Sequence, residues 1–264
     1  MTEIAITTKL TDIRAPLELA QRYKCGLEIQ TFSNTDILDG DWQGLVHEYQ
    51  TELSSFAGSL ACHGAFFDMM SASMDARIVA LTKERYLLNL NIAEQLGATR
   101  LVFHTNFLPM IRTEAYRRAW LTGQSEFWQE LGWQATEKGI TLCLENMWDP
   151  DPFLLRDLLN IVNMTNVACC LDVSHAYLYG QQLHGITQWL EVLSPCIHHV
   201  HVNNTLGVID EHLLLNAPGG IINYAHLLPQ LAALPLNPDI VIEMDDLQAA
   251  EKSLVFLSRV LQHQ

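Results

Sequence analysis

Short apolar runs alternate with longer stretches of mixed polarity along the whole chain. Eight runs read as strands, at residues 4–7, 26–32, 59–63, 100–104, 140–145, 167–172, 197–202 and 240–243. Several are apolar on both faces, such as the run before Glu145 and the Ile-Val-Ile before Glu243. Strands buried on both sides belong to parallel sheets covered by helices. The stretches between them carry helix signals. Pro16 and Pro152 suit a first helical turn. The stretch 75–96 stops at Gly97 and the stretch 113–138 stops at Gly139, where glycine can supply the left-handed cap. A last helix is predicted over residues 247–262. No internal repeat or Pro/Ser-rich linker interrupts the pattern, so one domain over residues 1–264 is the simplest organisation. Eight βα units predict an α/β fold, a (β/α)8 barrel. An open doubly wound sheet would more often carry a Gly-rich turn after its first strand, where this chain reads Thr7-Thr8-Lys9-Leu10.

The ends of the strands carry the chemistry. Strand three ends in His63, strand four in His104, strand five in Glu145 and strand six in Asp172, with His175 three residues on. Strand seven holds His199 and His201, and strand eight ends in Glu243. The same interval of 41 residues separates His63 from His104 and His104 from Glu145. In a barrel the C-terminal rim bears the active site, so these side chains are expected to share one mouth. Mixed imidazoles and carboxylates suit a divalent ion such as Zn²⁺, Mn²⁺ or Co²⁺, at ligand distances of about 2.0–2.3 Å. A lone histidine at a strand end is more often a satisfied core residue, but six successive strands end in a ligand type. His199 and His201 share a strand face, and His201 is nearer the mouth. His199 is then expected one layer deeper, supporting or packing. Glu28 is a further candidate near the barrel interior, with a structural role equally open. His47, His184, His226 and His263 read as surface positions. Asp210 and His212, two apart, are expected to point the same way if extended.

Composition narrows the partners. Fifteen Lys and Arg against 30 Asp and Glu give a net charge of −15, which argues against a general attraction to nucleic acid or anionic membranes. No Lys or Arg lies between Arg156 and Lys252, so the rim from strands six to eight lacks its own cation for phosphates. Hydrophobic residues make up 49% of the chain, enough for a large core. The acidic N-terminus has no apolar signal region, no window approaches a membrane span, and six scattered cysteines without CxxC read as reduced thiols. A cytoplasmic protein is expected.

The strings Leu-Glu145-Asn-Met, Asp172-Val-Ser-His175-Ala, His199-Val-His201-Val-Asn-Asn, Asp210-Glu-His212 and Ile-Glu243 resemble the xylose isomerase-like TIM-barrel superfamily. That group includes sugar isomerases, ketose 3-epimerases, polyol dehydratases and endonuclease IV. The resemblance to the sugar branch implies one divalent ion (Zn, Mn, Co or Mg) held by Glu145, Asp172, His201 and Glu243. It also implies Glu145 and Glu243 as acid and base on opposite faces of the deprotonated carbon, passing through an enediolate, with His175 on substrate hydroxyls. The resemblance to endonuclease IV implies three zinc ions and nine ligands: His63, His104, Glu145, Asp172, His175, His201, Asp210, His212 and Glu243. This sequence departs from that branch at His104-Thr-Asn-Phe and after His212, and from the ketose epimerases in having no Arg soon after His201. The expected function is a metal-dependent isomerase or epimerase of an unphosphorylated sugar or polyol, with Trp148 or Phe66 and Phe67 as apolar walls, a core role for these aromatics being equally open. The alternatives are a multinuclear phosphoesterase and a binding barrel without turnover. A homo-oligomer is left open.

Overall fold

The computed structural model describes residues 2–180 and 185–262. The strands are β1 (Ile4–Thr8), β2 (Gly26–Ile29), β3 (Leu60–His63), β4 (Arg100–His104), β5 (Thr141–Glu145), β6 (Val167–Asp172), β7 (Ile197–Val202) and β8 (Asp239–Ile242). All pair in parallel with their neighbours, and β1 also pairs with β8, closing the expected barrel. The helices are α1 (Arg14–Tyr23), α2 (Thr35–Asp39), α3 (Trp42–Leu53), α4 (Ala76–Leu96), α5 (Glu114–Glu137), α6 (Pro152–Val162), α7 (Val173–Leu178), α8 (Ile186–Leu193), α9 (Tyr224–Ala232) and α10 (Leu247–Gln262). No described helix is long and apolar enough to cross a membrane.

Helix ends follow their local chemistry. Asp75, Thr113 and Asp151 cap α4, α5 and α6 by accepting backbone N–H bonds. Gly97 and Gly139 adopt φ of 74° and 68°, the left-handed region that ends a helix cheaply only at glycine. Leu27, Leu101, Phe103, Leu142, Leu144, Val200 and Ile240 belong to the large apolar layer packed with the helices. Val102, Cys143 and Cys170 form a separate small apolar cluster. All six cysteines are free thiols.

Two expectations need correction. The second strand stops at Ile29, because a 3-10 turn at Thr31–Ser33 takes the chain away, and Asn34 then caps α2. Asp210 and His212 do not meet by strand alternation. His212 has φ of 50°, so the chain turns there, and the turn brings the two side chains together. His47 and His226 are exposed as expected, while His184 and His263 lie outside the described residues.

Candidate metal centre

The strand register sets the site. His104 stands opposite Glu145, and Asp172 stands opposite His201. The second pairing depends on a register shift between β6 and β7. Cys169 faces Ile197, but Cys170 faces His199. Without that extra residue Asp172 would stand opposite Val200, and His201 would miss the rung it shares with Asp172. Bulges of this kind re-aim side chains beside sites. Beyond β6, Asp172 caps α7 by accepting the His175 N–H at 2.6 Å. His175 therefore lies in a helical first turn, which carries its ring back over the mouth.

All nine sequence candidates converge. Glu145, 1% exposed, is the common member. Its Oε2 lies 3.2 Å from both His63 Nε2 and His104 Nε2. Its Oε1 lies 3.3 Å from His175 Nδ1 and 3.4 Å from His201 Nδ1. Glu243 Oε2 reaches the same His201 Nδ1 at 3.4 Å. Asp210 Oδ2 sits 3.1 Å from both His175 Nε2 and His212 Nε2. Potential ligand atoms fall within 4.8 Å of one another in His63/His104/Glu145, in Glu145/Asp172/His175 and in Asp172/His201/Glu243.

The groups fit a cation by a test independent of likeness. Asp172 Oδ2, His201 Nδ1, Asp210 Oδ1 and His212 Nδ1 are buried atoms with no hydrogen-bond partner. Leaving such atoms unsatisfied costs about 1–3 kcal/mol each, and a shared ion offsets that cost. Backbone carbonyls fix two of the rings. His63 Nδ1 donates to Gly64 O at 2.8 Å and His175 Nδ1 to Asn146 O at 2.9 Å. Each then turns Nε2 toward a carboxylate. Burial alone would raise the Glu145 pKa, but the charges of His104 and His201 hold it well below the usual range. Asp172 goes the other way, pushed up to about 7 by burial, with Glu145 and Glu243 adding to the rise. Burial would lower His212, yet Glu243 and Asp210 raise it to about 9. So dense a set of opposed shifts is characteristic of a functional site.

Phe66 tilts against His104 with ring centroids 4.8 Å apart and meets the edge of His63. Phe67 is 74% exposed and Trp148 half-buried, so Phe66 is the aromatic in contact with these rings. His199 lies deeper than His201, and both contact Glu28, which is 0% exposed.

Two residues were missed in the sequence. Gln30 donates to Glu28 at 3.0 Å and to Glu243 at 2.8 Å. Its signal was its place two residues after Glu28 in the apolar run, although the strand itself ends one residue earlier, at Ile29. Lys9 reaches Asp245 at 2.7 Å. Burial lowers its pKa, but Glu243, Asp245 and Asp210 outweigh that and raise it. The rim of β6 to β8 thus has a cation after all, lent by the loop after β1. Nothing local in the sequence marks that approach, because it depends on barrel closure between β1 and β8.

Residues 27–260 match the xylose isomerase-like TIM barrel family. The chain is 27% identical to the TTHB071 protein of Thermus thermophilus, from crystals soaked with ZnCl2, covering 99% of both chains with a TM-score of 0.83. It is 22% identical to a D-tagatose 3-epimerase-like protein, covering 98% of this chain and 97% of the other, with a TM-score of 0.81. Among curated proteins, the uncharacterized protein MJ1311 of Methanocaldococcus jannaschii is 26% identical over 211 residues, 77% of this chain and 70% of its own length.

Proposed function

The chain belongs to the xylose isomerase-like TIM barrel family, and from that premise we propose a divalent-metal-dependent isomerase or epimerase acting on an unphosphorylated sugar or related polyol. The observation that carries this reading is the placement of Glu145 and Glu243. They come from β5 and from the residue after β8, and each brings a carboxylate oxygen to 3.4 Å from His201 Nδ1. Two buried carboxylates that converge on one point supply the acid and the base that inversion at a substrate carbon requires, one for each face. Glu145, Asp172, His201 and Glu243 would hold the ion. When bound, it supplies polarisation of a substrate carbonyl, worth several kcal/mol to loss of the neighbouring proton.

The protein's own groups do the rest. His175, pinned through Nδ1 to Asn146 O, would meet a substrate hydroxyl with Nε2, which in the free protein faces Asp210 Oδ2 at 3.1 Å. Phe66 gives an apolar wall beside His104. The D-tagatose 3-epimerase-like protein has the same barrel, which makes ketoses the first substrates to try. The test is solvent-deuterium exchange into a panel of neutral ketoses and aldoses with Mn²⁺, Co²⁺, Zn²⁺ or Mg²⁺ added. Exchange at the carbon next to the carbonyl, lost in Glu145→Gln and Glu243→Gln, is the expected result.

A second reading has its own observation. His63, His104, His175, Asp210 and His212 are more ligand types than one ion needs, and they fall into groups around Glu145 and Asp210. That arrangement suits two or three ions and phosphoester hydrolysis, endonuclease IV-like cleavage at abasic sites included. No exchange into any sugar, together with cleavage of an abasic-site oligonucleotide, decides for this reading.

A further inference from the structure

Beneath the mouth lies a second tier of polar groups that no catalytic step above uses. Glu28, on β2, is 0% exposed. Its Oε2 is 2.6 Å from His199 Nε2 and 3.0 Å from His201 Nε2. Its Oε1 accepts from Gln30 Nε2 at 3.0 Å, and the same amide nitrogen reaches Glu243 Oε1 at 2.8 Å. One carboxylate and one amide therefore touch two of the four residues of the central group, His201 and Glu243.

The hydrogen-bond roles follow from chemistry. A carboxylate oxygen only accepts, so each Nε2 facing Glu28 is the nitrogen that carries hydrogen. When an ion displaces the second ring proton, an imidazole that keeps its hydrogen on Nε2 offers the lone pair of Nδ1. That is the His201 atom left buried without a hydrogen-bond partner, 3.4 Å from Glu145 and Glu243. Two other rings of the mouth are set the opposite way. His63 and His175 spend Nδ1 on backbone carbonyls and turn Nε2 to the carboxylates. His201 has no such carbonyl partner, and Glu28 takes its place. Gln30 does the matching work on Glu243. It engages Oε1 and leaves Oε2 as the oxygen facing His201 Nδ1.

We propose that Glu28 and Gln30 are positioning residues of the metal centre: Glu28 fixes His201 as the Nε2–H tautomer so that Nδ1 is its ligand atom, and Gln30 fixes which Glu243 oxygen faces the ion. His199 anchors Glu28 from the layer below. The inference rests on the metal-centre reading and adds to it which atom of His201 binds and what selects that atom. Carboxylates behind metal-binding histidines act in this way generally, and their loss costs about 10–100-fold in metal affinity.

Long-range ¹⁵N–¹H NMR of the histidines in wild-type protein reloaded with Zn²⁺ reads directly which ring nitrogen keeps its hydrogen beside the ion. The expected result is Nε2–H for His201 and Nδ1–H for His63 and His175. Titration with Zn²⁺ or Mn²⁺ then compares wild type with Glu28→Gln and Gln30→Leu. Glu28→Gln keeps the shape but adds donors where both imidazoles need an acceptor. It should weaken the central ion by about 10–100-fold, with a smaller, several-fold loss for Gln30→Leu. An Nδ1–H tautomer at His201, metal bound through Nε2, or wild-type affinity in folded Glu28→Gln overturns the proposal. So does an ion held between Glu28, His199 and His201, whose potential ligand atoms lie within 4.8 Å of one another. If Glu28→Gln does not fold, the wild-type tautomer and Gln30→Leu still decide. Wild-type protein that takes no metal overturns the metal-centre reading itself, which separates the two failures.

Discussion

At the floor of the barrel, Arg100 opens β4 and Asp239 opens β8, and their charges meet at 2.6 Å. A cavity of about 620 Å³ opens there, lined by Glu3, Ser59, Thr99, Arg100, Asn237 and Asp239. At the mouth, nine ligand-type residues meet, and Asp172 Oδ2, His201 Nδ1, Asp210 Oδ1 and His212 Nδ1 are left without hydrogen-bond partners. The floor has room and a closed ion pair. The mouth has unsatisfied atoms and opposed pKa shifts. What separates the two ends is therefore unmet bonding capacity among ligand-type groups: the Arg100 and Asp239 charges of the floor are paired, whereas carboxylate and imidazole atoms of the mouth are not. Cations deepen the contrast: Arg100 neutralises Asp239 below, whereas the carboxylates above are faced mainly by imidazoles.

The comparison breaks most visibly at Glu145, which touches His63, His104, His175 and His201. Glu145→Gln should reduce proton exchange by about 10²–10⁴-fold and lower metal retention. The same turnover in the variant would remove the mouth from the chemistry. His212→Ala sharpens the reading of the mouth. On the single-ion account it costs less than about tenfold in exchange, and the ion on Glu145, Asp172, His201 and Glu243 stays. Loss of further ions on elemental analysis favours the multinuclear alternative.

The floor should respond in stability alone. Arg100→Met leaves the Asp239 carboxylate buried without its partner. The expected cost is about 1–3 kcal/mol by urea denaturation, below that of a fully buried pair because the Arg100 side chain is 25% exposed. Metal content should not change, and a parallel loss of metal would join the two ends.

Asp149 tests how far unmet bonding alone defines the mouth. It accepts from the Thr105 hydroxyl at 2.6 Å, while its Oδ1 has no partner. Burial pushes its pKa up to about 7. A carboxyl raised in the folded state favours folding fully below its unfolded value and loses that advantage as pH rises through the folded one. Stability should therefore fall between about pH 4 and 7, by about 1.4 kcal/mol per pH unit at most. Asp149→Asn should flatten that slope in denaturation curves, and an unchanged slope would assign it elsewhere. Lys9→Met should have the smallest effect on folding, under about 1 kcal/mol, since its pair with Asp245 is exposed.

The fold was legible because its signals are local. Two-faced apolar runs marked the strands, Asp151 with Pro152 opened α6, and Gly97 and Gly139 followed α4 and α5. Residues at strand ends were legible as candidates because a parallel barrel points every strand the same way. Contacts that depend on closure or loops were not. Lys9 comes to the β8 side only because β1 pairs with β8. His201 shares a rung with Asp172 only through the shift at Cys169 and Cys170. Asp210 meets His212 through a left-handed residue rather than an extended segment. The Glu28 carboxylate was visible as a candidate, but its partners lie on β7, remote in sequence.

The measurement that tests the central claim most directly is metal content per chain after chelator stripping and reconstitution with Mn²⁺ or Zn²⁺, made on wild type and Glu145→Gln together. The account predicts at least one tightly held ion per wild-type chain, with fewer in the variant. A wild-type protein that retains no ion, or a variant that retains as many, would contradict it.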